Sequence, residues 1–183
     1  MAKATLAGHP LHPQLITLPL GMFPFSLVMD VLHQRTGKQS YADAAYYSLL
    51  GGFFGGLAAG AAGAVDYFAI PGDSKAKPTA NLHALLNVSV LGVTAVNLLL
   101  RKDDRKRRGG GWPLALSAMA NAGALVSSWY GGQLVYEHGL RVKGVDELAT
   151  APDLKLPGDQ TIAETFEQFE DVAAPVERTA QIH

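Results

Sequence analysis

The 183-residue chain contains no cysteine. It therefore can form neither a disulfide nor a cysteine-ligated iron–sulfur cluster, and it has no site for covalent attachment of c-type haem. Charged residues are scarce at 17% of the chain, and the formal net charge of −1 indicates no particular class of partner. No cleavable signal peptide is evident before the first apolar run, so the first helix is expected to remain in the mature protein.

What the chain does contain is four apolar stretches separated by short charged loops. A helix needs about 20 mainly apolar residues to cross a bilayer. The first stretch is the weakest, because Pro19 and Pro24 interrupt it and Asp30 lies inside it. A soluble helical domain is the alternative, but so short a chain could hardly cover four such segments. We therefore predict an all-α integral membrane four-helix bundle over residues 1–140, with spans at about 14–33, 44–70, 81–100 and 112–136.

The remainder, residues 141–183, is predicted to be an acidic extracytoplasmic tail. It holds nine acidic and four basic residues and no long apolar run. Thr161 and Glu164 fit a capping box, and apolar residues recur at helical spacing after it. This pattern predicts one short amphipathic helix over residues 161–172. It could dock on the protein's own outer surface, on a redox partner or on a larger membrane complex.

The distribution of Lys and Arg predicts the orientation, because cytoplasmic loops carry the excess of these residues. The run from Arg101 to Arg108 carries six of them, and Arg35 and Lys38 lie on the same predicted side. We expect this side to be cytoplasmic, with both termini outside. The basic loop is short and lies between two spans, so it does not favour nucleic-acid binding.

Ionisable residues collect at the opposite, outer face. Asp30 and His33 mark the cytoplasmic end, whereas six others come to the outer end from four predicted helices: His9, His12, Asp66, His83, Glu137 and His138. Ionisable groups at the edge of a span are costly, which makes them functional candidates. Each histidine alone could be an interfacial anchor. Together they predict one shared outer-face site.

Small and polar residues follow helical spacing inside three spans. Gly52, Gly56 and Gly60 lie on one face of the second span and indicate close approach of another helix or of a flat ligand. Two polar stripes are expected to face the interior, where polar groups can pair. They comprise His83, Asn87, Thr94 and Asn97 on the third span, and Ser117, Asn121, Ser128 and Gly131 on the fourth.

Several motifs resemble those of a bacterial membrane family, the domain of unknown function 2231 family. They are the opening from Gly8 to Pro13 with Leu18 to Gly21 and Asp30, then Gly63 to Asp66, His83, and Tyr130 to Gly139. The resemblance covers about residues 7–145. It implies four transmembrane helices in a bacterial inner membrane, without an established activity. Some proteins of this type join the domain to a Rieske iron–sulfur domain, which points toward electron transfer. This chain lacks the cysteines of such a domain.

Three functional hypotheses remain. The first is b-type haem held by two of His9, His12, His83 and His138 for electron transfer. The second is a zinc or copper site formed by the same histidines with Asp66 or Glu137. The third is a cofactor-free accessory subunit of a larger membrane complex. No nucleophile motif or phosphate-binding loop is convincing, so an enzyme acting on a free substrate is less favoured than any of these.

Overall fold

The structure is a computed structural model that describes residues 4–6, 9–102, 111–140, 164–165 and 168–169. A short antiparallel pair, β1 (Thr5–Leu6) and β2 (His9–Pro10), precedes one short helix and four long helices. The helices are α1 (Leu11–Leu15), α2 (Thr17–Thr36), α3 (Gln39–Phe68), α4 (Lys77–Lys102) and α5 (Gly111–Tyr136). Most of the described chain is therefore helical. The predicted tail helix over residues 161–172 lies largely outside the described residues.

The prolines of the first apolar stretch do not interrupt its helix. α2 runs through Pro19 and Pro24 to Thr36. Proline removes one backbone donor, but a membrane helix tolerates this where its neighbours satisfy the freed groups. α2 ends at Gly37, whose φ of 67° closes the last turn as the Gly37 N–H donates to the His33 carbonyl at 2.8 Å. A left-handed residue of this kind is a common helix terminator and favours glycine.

The long helices pack mainly as sequential pairs. α2 lies along α3, and α4 lies along α5; α2 also meets α5, and α3 meets α4. The short helix α1 rests on α3. One apolar cluster forms around Phe23, Leu49 and Val90, and a smaller one forms around Ala80 and Leu134.

The exterior of the helices is strongly apolar, whereas the interior holds many polar side chains. Phe54, Val88 and Leu125 are examples of large hydrophobic residues that face outward. The buried polar and charged residues are Ser26, Asp30, Thr79, Thr94, Asn97, Arg101, Ser117, Asn121 and Ser127. A water-soluble protein rarely exposes a large contiguous apolar surface. This distribution is the one expected of helices that face lipid outside and satisfy polar groups inside.

Three segments among the described residues are long and apolar enough to cross a membrane: Leu11–Thr36, Gln39–Phe68 and Lys77–Arg101. α5 has 26 residues, which is sufficient length, but it does not belong to this group. Its serines, glycines and Asn121 lower its hydropathy. Several of these residues face neighbouring helices rather than the outside.

Candidate functional site

Two of the predicted site histidines lie side by side. His12 from α1 and His83 from α4 have ring centroids 6.2 Å apart, and their ring planes are almost perpendicular at 88°. Both side chains are only partly exposed. α4 and the α1–α2 segment thus each contribute one imidazole to the same point inside one end of the helix assembly.

Each of these imidazoles is anchored through the same ring atom to the backbone of a third or fourth helix. Nδ1 of His12 lies 2.8 Å from the Ala59 carbonyl on α3. Nδ1 of His83 lies 2.8 Å from the Ser127 carbonyl on α5. A carbonyl oxygen only accepts hydrogen bonds, so Nδ1 carries the donated proton in both rings. In the neutral rings, Nε2 therefore bears the free lone pair.

Two glycines make room for the anchored rings. A Cβ atom built on Gly63 of α3 would lie 2.9 Å from His12 Nδ1. One built on Gly131 of α5 would lie 3.0 Å from His83 Cε1. The absence of side chains at Gly63 and Gly131 thus lets each imidazole approach closely the helix that anchors it. Gly63 stood in a quoted motif without a role, whereas Gly131 belonged to the fourth-helix stripe that was expected to face the interior.

The environment of His83 contains two more polar side chains. Asn87, one turn further along α4, places Nδ2 3.1 Å from His83 Nε2 and 2.9 Å from the His83 carbonyl oxygen. The Ser127 hydroxyl lies 3.1 Å from His83 Nδ1. Ser127 is buried and Ser128 is exposed, so the fourth-helix stripe meets the interior one residue earlier than expected.

The other predicted site residues have contacts and exposures of their own. His138 Nε2 lies 3.2 Å from the hydroxyl of Thr79, which precedes His83 by one turn of α4. His9 is exposed on β2 and Asp66 is half-buried. Glu137 is exposed and accepts a hydrogen bond from Gln133 Nε2 at 3.4 Å. Among the described residues, no group of three or more His, Asp or Glu side chains is close enough together to hold a metal ion.

The predicted glycine row on α3 meets side chains at two of its three positions. A Cβ on Gly52 would lie 2.7 Å from the Phe23 ring, and one on Gly56 would lie 2.8 Å from Leu91 Cδ2. Gly60 has no such neighbour within 4 Å. The space at Gly52 and Gly56 is therefore occupied by α2 and α4 side chains, which leaves none there for a flat ligand.

A second polar cluster, built around a buried ion pair, lies toward the other end of α4. Arg101 pairs with Asp30 of α2 in bidentate fashion: its two terminal nitrogens donate to Oδ1 at 2.9 Å and to Oδ2 at 2.8 Å. The side chains are 0% and 2% exposed, respectively. Charges withdrawn from solvent to this degree need both a partner and further hydrogen bonds.

Those further bonds come from α4 and α5. Arg101 Nε donates to Asn97 Oδ1 at 2.8 Å, and Nη2 donates to the Pro113 carbonyl at 2.9 Å. The Ser117 hydroxyl donates to Asp30 Oδ2 at 2.7 Å. Sequence reasoning missed this cluster, because Arg101 was counted with the basic loop. Its spacing of four from Asn97 extends the third-span stripe and was the available signal.

Comparison with known proteins gives one match. A family model described as "Predicted membrane protein (DUF2231)" matches residues 8–144, which is most of the chain and contains both polar clusters. No curated protein and no solved structure matches.

Proposed function

The chain belongs to this family of predicted membrane proteins, and from that premise we propose that it is a four-helix membrane protein that binds copper between His12 and His83. α2 to α5 would form the bundle, with α5 as the fourth span. The site would hold the ion as copper(I) at the outer face, for exchange with a partner protein. The orientation keeps the basic loop cytoplasmic and both termini outside.

The observation that carries the proposal is the geometry of the two imidazoles. When two imidazole nitrogens hold one ion between them at about 2.0 Å each, the ring centroids lie about 6 Å apart. The separation of 6.2 Å agrees with this value. The bonds from Nδ1 to Ala59 and Ser127 also leave Nε2 as the coordinating atom. A ligating histidine usually donates its other N–H to a carbonyl or carboxylate, which fixes its orientation.

Copper fits such a pair better than zinc does. Zinc takes four ligands in structural sites and three protein ligands in catalytic ones. The described residues bring together no such set. Copper(I), in contrast, is stable between two imidazoles in a near-linear arrangement, and imidazole is a favourable copper ligand.

A b-type haem with the same axial ligands is the second candidate. Two axial imidazoles on one iron would have a similar centroid separation, and perpendicular ring planes are compatible with such ligation. The weakness of this candidate is space. The clearance at Gly56 is filled by Leu91. A macrocycle at that position would have to displace this side chain.

The test is metal analysis of the protein purified after expression with added copper or with a haem precursor. We expect about one copper per chain and no Soret band. His12→Ala and His83→Ala should each lose most of the copper, and the double variant should lose little more, because the pair acts as one site. His33→Ala is the matched control, since its Nδ1 bonds locally to Lys38 O at the far helix end. A Soret band would favour haem. If His12→Ala and His83→Ala keep the copper or haem signal of the wild type, the His12–His83 site is refuted.

The cofactor-free accessory subunit is the outcome if wild-type protein binds neither copper nor haem. The tail helix proposed over residues 161–172 would then be the contact with a larger complex. In the copper proposal, the same segment would dock the partner that exchanges copper(I). Deletion of residues 161–172 should leave copper content unchanged and weaken binding of that partner.

A further inference from the structure

We infer that the side-chain amide of Asn87 caps the copper site and must turn away before an ion can bind. This inference rests on the proposed function and deepens it. It assigns to Asn87 the control of access to His83, a role that its place in a polar stripe did not suggest.

The cap follows from competition for one lone pair. His83 Nδ1 donates to the Ser127 carbonyl, so Nε2 offers the ring's only available lone pair. Asn87 Nδ2 lies 3.1 Å from this atom and donates to it. A nitrogen lone pair cannot accept this hydrogen bond and coordinate a metal ion at the same time. Binding of copper to His83 therefore requires loss of the Asn87 bond.

Turning the amide away loses one of its two hydrogen bonds, because Asn87 Nδ2 already bonds to a second acceptor as well. The same Nδ2 lies 2.9 Å from the His83 carbonyl oxygen, one helical turn earlier. A side-chain amide nitrogen carries two hydrogens, and only one of them is needed for that bond. Rotation therefore sacrifices one hydrogen bond of the amide and can retain the other.

His12 shows no such cap. Its Nδ1 donates to the Ala59 carbonyl, and among the described residues no hydrogen bond engages its Nε2. The two ligands are thus unequal in the metal-free protein. An ion can meet His12 without displacing a side chain, and the step controlled by Asn87 is the completion of the site at His83.

The test compares copper(I) affinity of full-length Asn87→Ala with that of the wild type. Both proteins are purified in detergent and titrated against a chromogenic copper(I) chelator. Removal of one competing hydrogen bond should tighten binding by about 2–10-fold and speed loading. A merely structural asparagine would have the opposite effect, since its loss would loosen the site. Ser89→Ala is the matched control, because Ser89 is exposed on the same helix and its hydroxyl donates to the Leu85 carbonyl of that helix.

Nitrogen NMR of the histidine rings provides a readout that needs no copper. In metal-free Asn87→Ala, the Nε2 resonance of His83 should shift while Nδ1 stays protonated. If the wild type binds copper at least as tightly as Asn87→Ala does, the capping role of Asn87 is refuted and the proposed copper site stands. A wild type that binds no copper refutes the proposed function, and the NMR shift then reports whether Asn87 holds His83 at all.

Discussion

Replacement of Asp30 by alanine is expected to destabilise the protein severely. The change removes both acceptors of the Arg101 guanidinium and the acceptor of the Ser117 hydroxyl. Arg101 is 0% exposed, so water cannot replace them without local opening. Breaking a buried pair from one side typically costs about 3–5 kcal/mol, because the other charge stays buried without its partner.

The effect should be visible as a lower unfolding temperature in detergent micelles. For a chain of this size, 1 kcal/mol shifts the midpoint by about 2–4 °C. The expected loss is therefore about 6–20 °C for Asp30→Ala. Arg35→Ala is the matched control, since Arg35 is an exposed charge near the end of the same helix.

A second variant distinguishes the effect of the broken ion pair from a general loss of packing. Asp30→Ala combined with Arg101→Leu removes both charges and should recover part of the lost stability, because no buried charge remains alone. The reasoning is refuted if Asp30→Ala melts like the parent. It is also refuted if the double variant is less stable by the sum of the two single losses.

Two further predictions concern topology and packing. Cysteines introduced singly at Arg35 and Lys75, which flank α3, should react with impermeant reagents from opposite sides of the membrane, with Lys75 outside; labelling of both from one side would exclude α3 as a span. Gly131→Val should displace the His83 ring and lower copper content, whereas Gly60→Val, with no non-local neighbour within 4 Å of its Cβ position, should not. Equal copper loss in the two variants would remove the ring-clearance role of Gly131.

The sequence predicted the long helices well because long apolar runs bounded by charged loops have few other solutions. It misjudged Pro24, since the effect of proline inside a membrane helix depends on neighbouring groups that only the packed structure supplies. It also misassigned Arg101. A basic residue at the end of a span can lie in the adjacent loop or point into the helix assembly. Arg101 points inward because it pairs with Asp30, which lies 71 residues earlier in the chain.

The site was anticipated only as a set of histidines at one end of the helices. That His12 and His83 approach each other, while His9 is exposed and His138 bonds to Thr79, depends on the rotation of each helix about its axis. Periodicity specifies such a rotation only to within about one residue: Ser128 was predicted to face the interior, but Ser127 is the buried residue. The Nδ1 anchors are backbone carbonyls, which every residue carries, so sequence patterns cannot identify them.

α4 connects the two polar clusters while keeping them apart. His83 and Arg101 lie 18 positions apart on this helix, or about 27 Å at the usual rise, which is close to the thickness of the hydrocarbon core. Between them, Val90 packs against Gly123 of α5, where a Cβ would lie 2.9 Å from its methyl group. This apolar layer separates the histidine pair from the ion pair. α4 therefore carries Arg101, whose fully bonded charge cluster holds α2, α4 and α5 together, and His83, whose Nε2 bonds to Asn87.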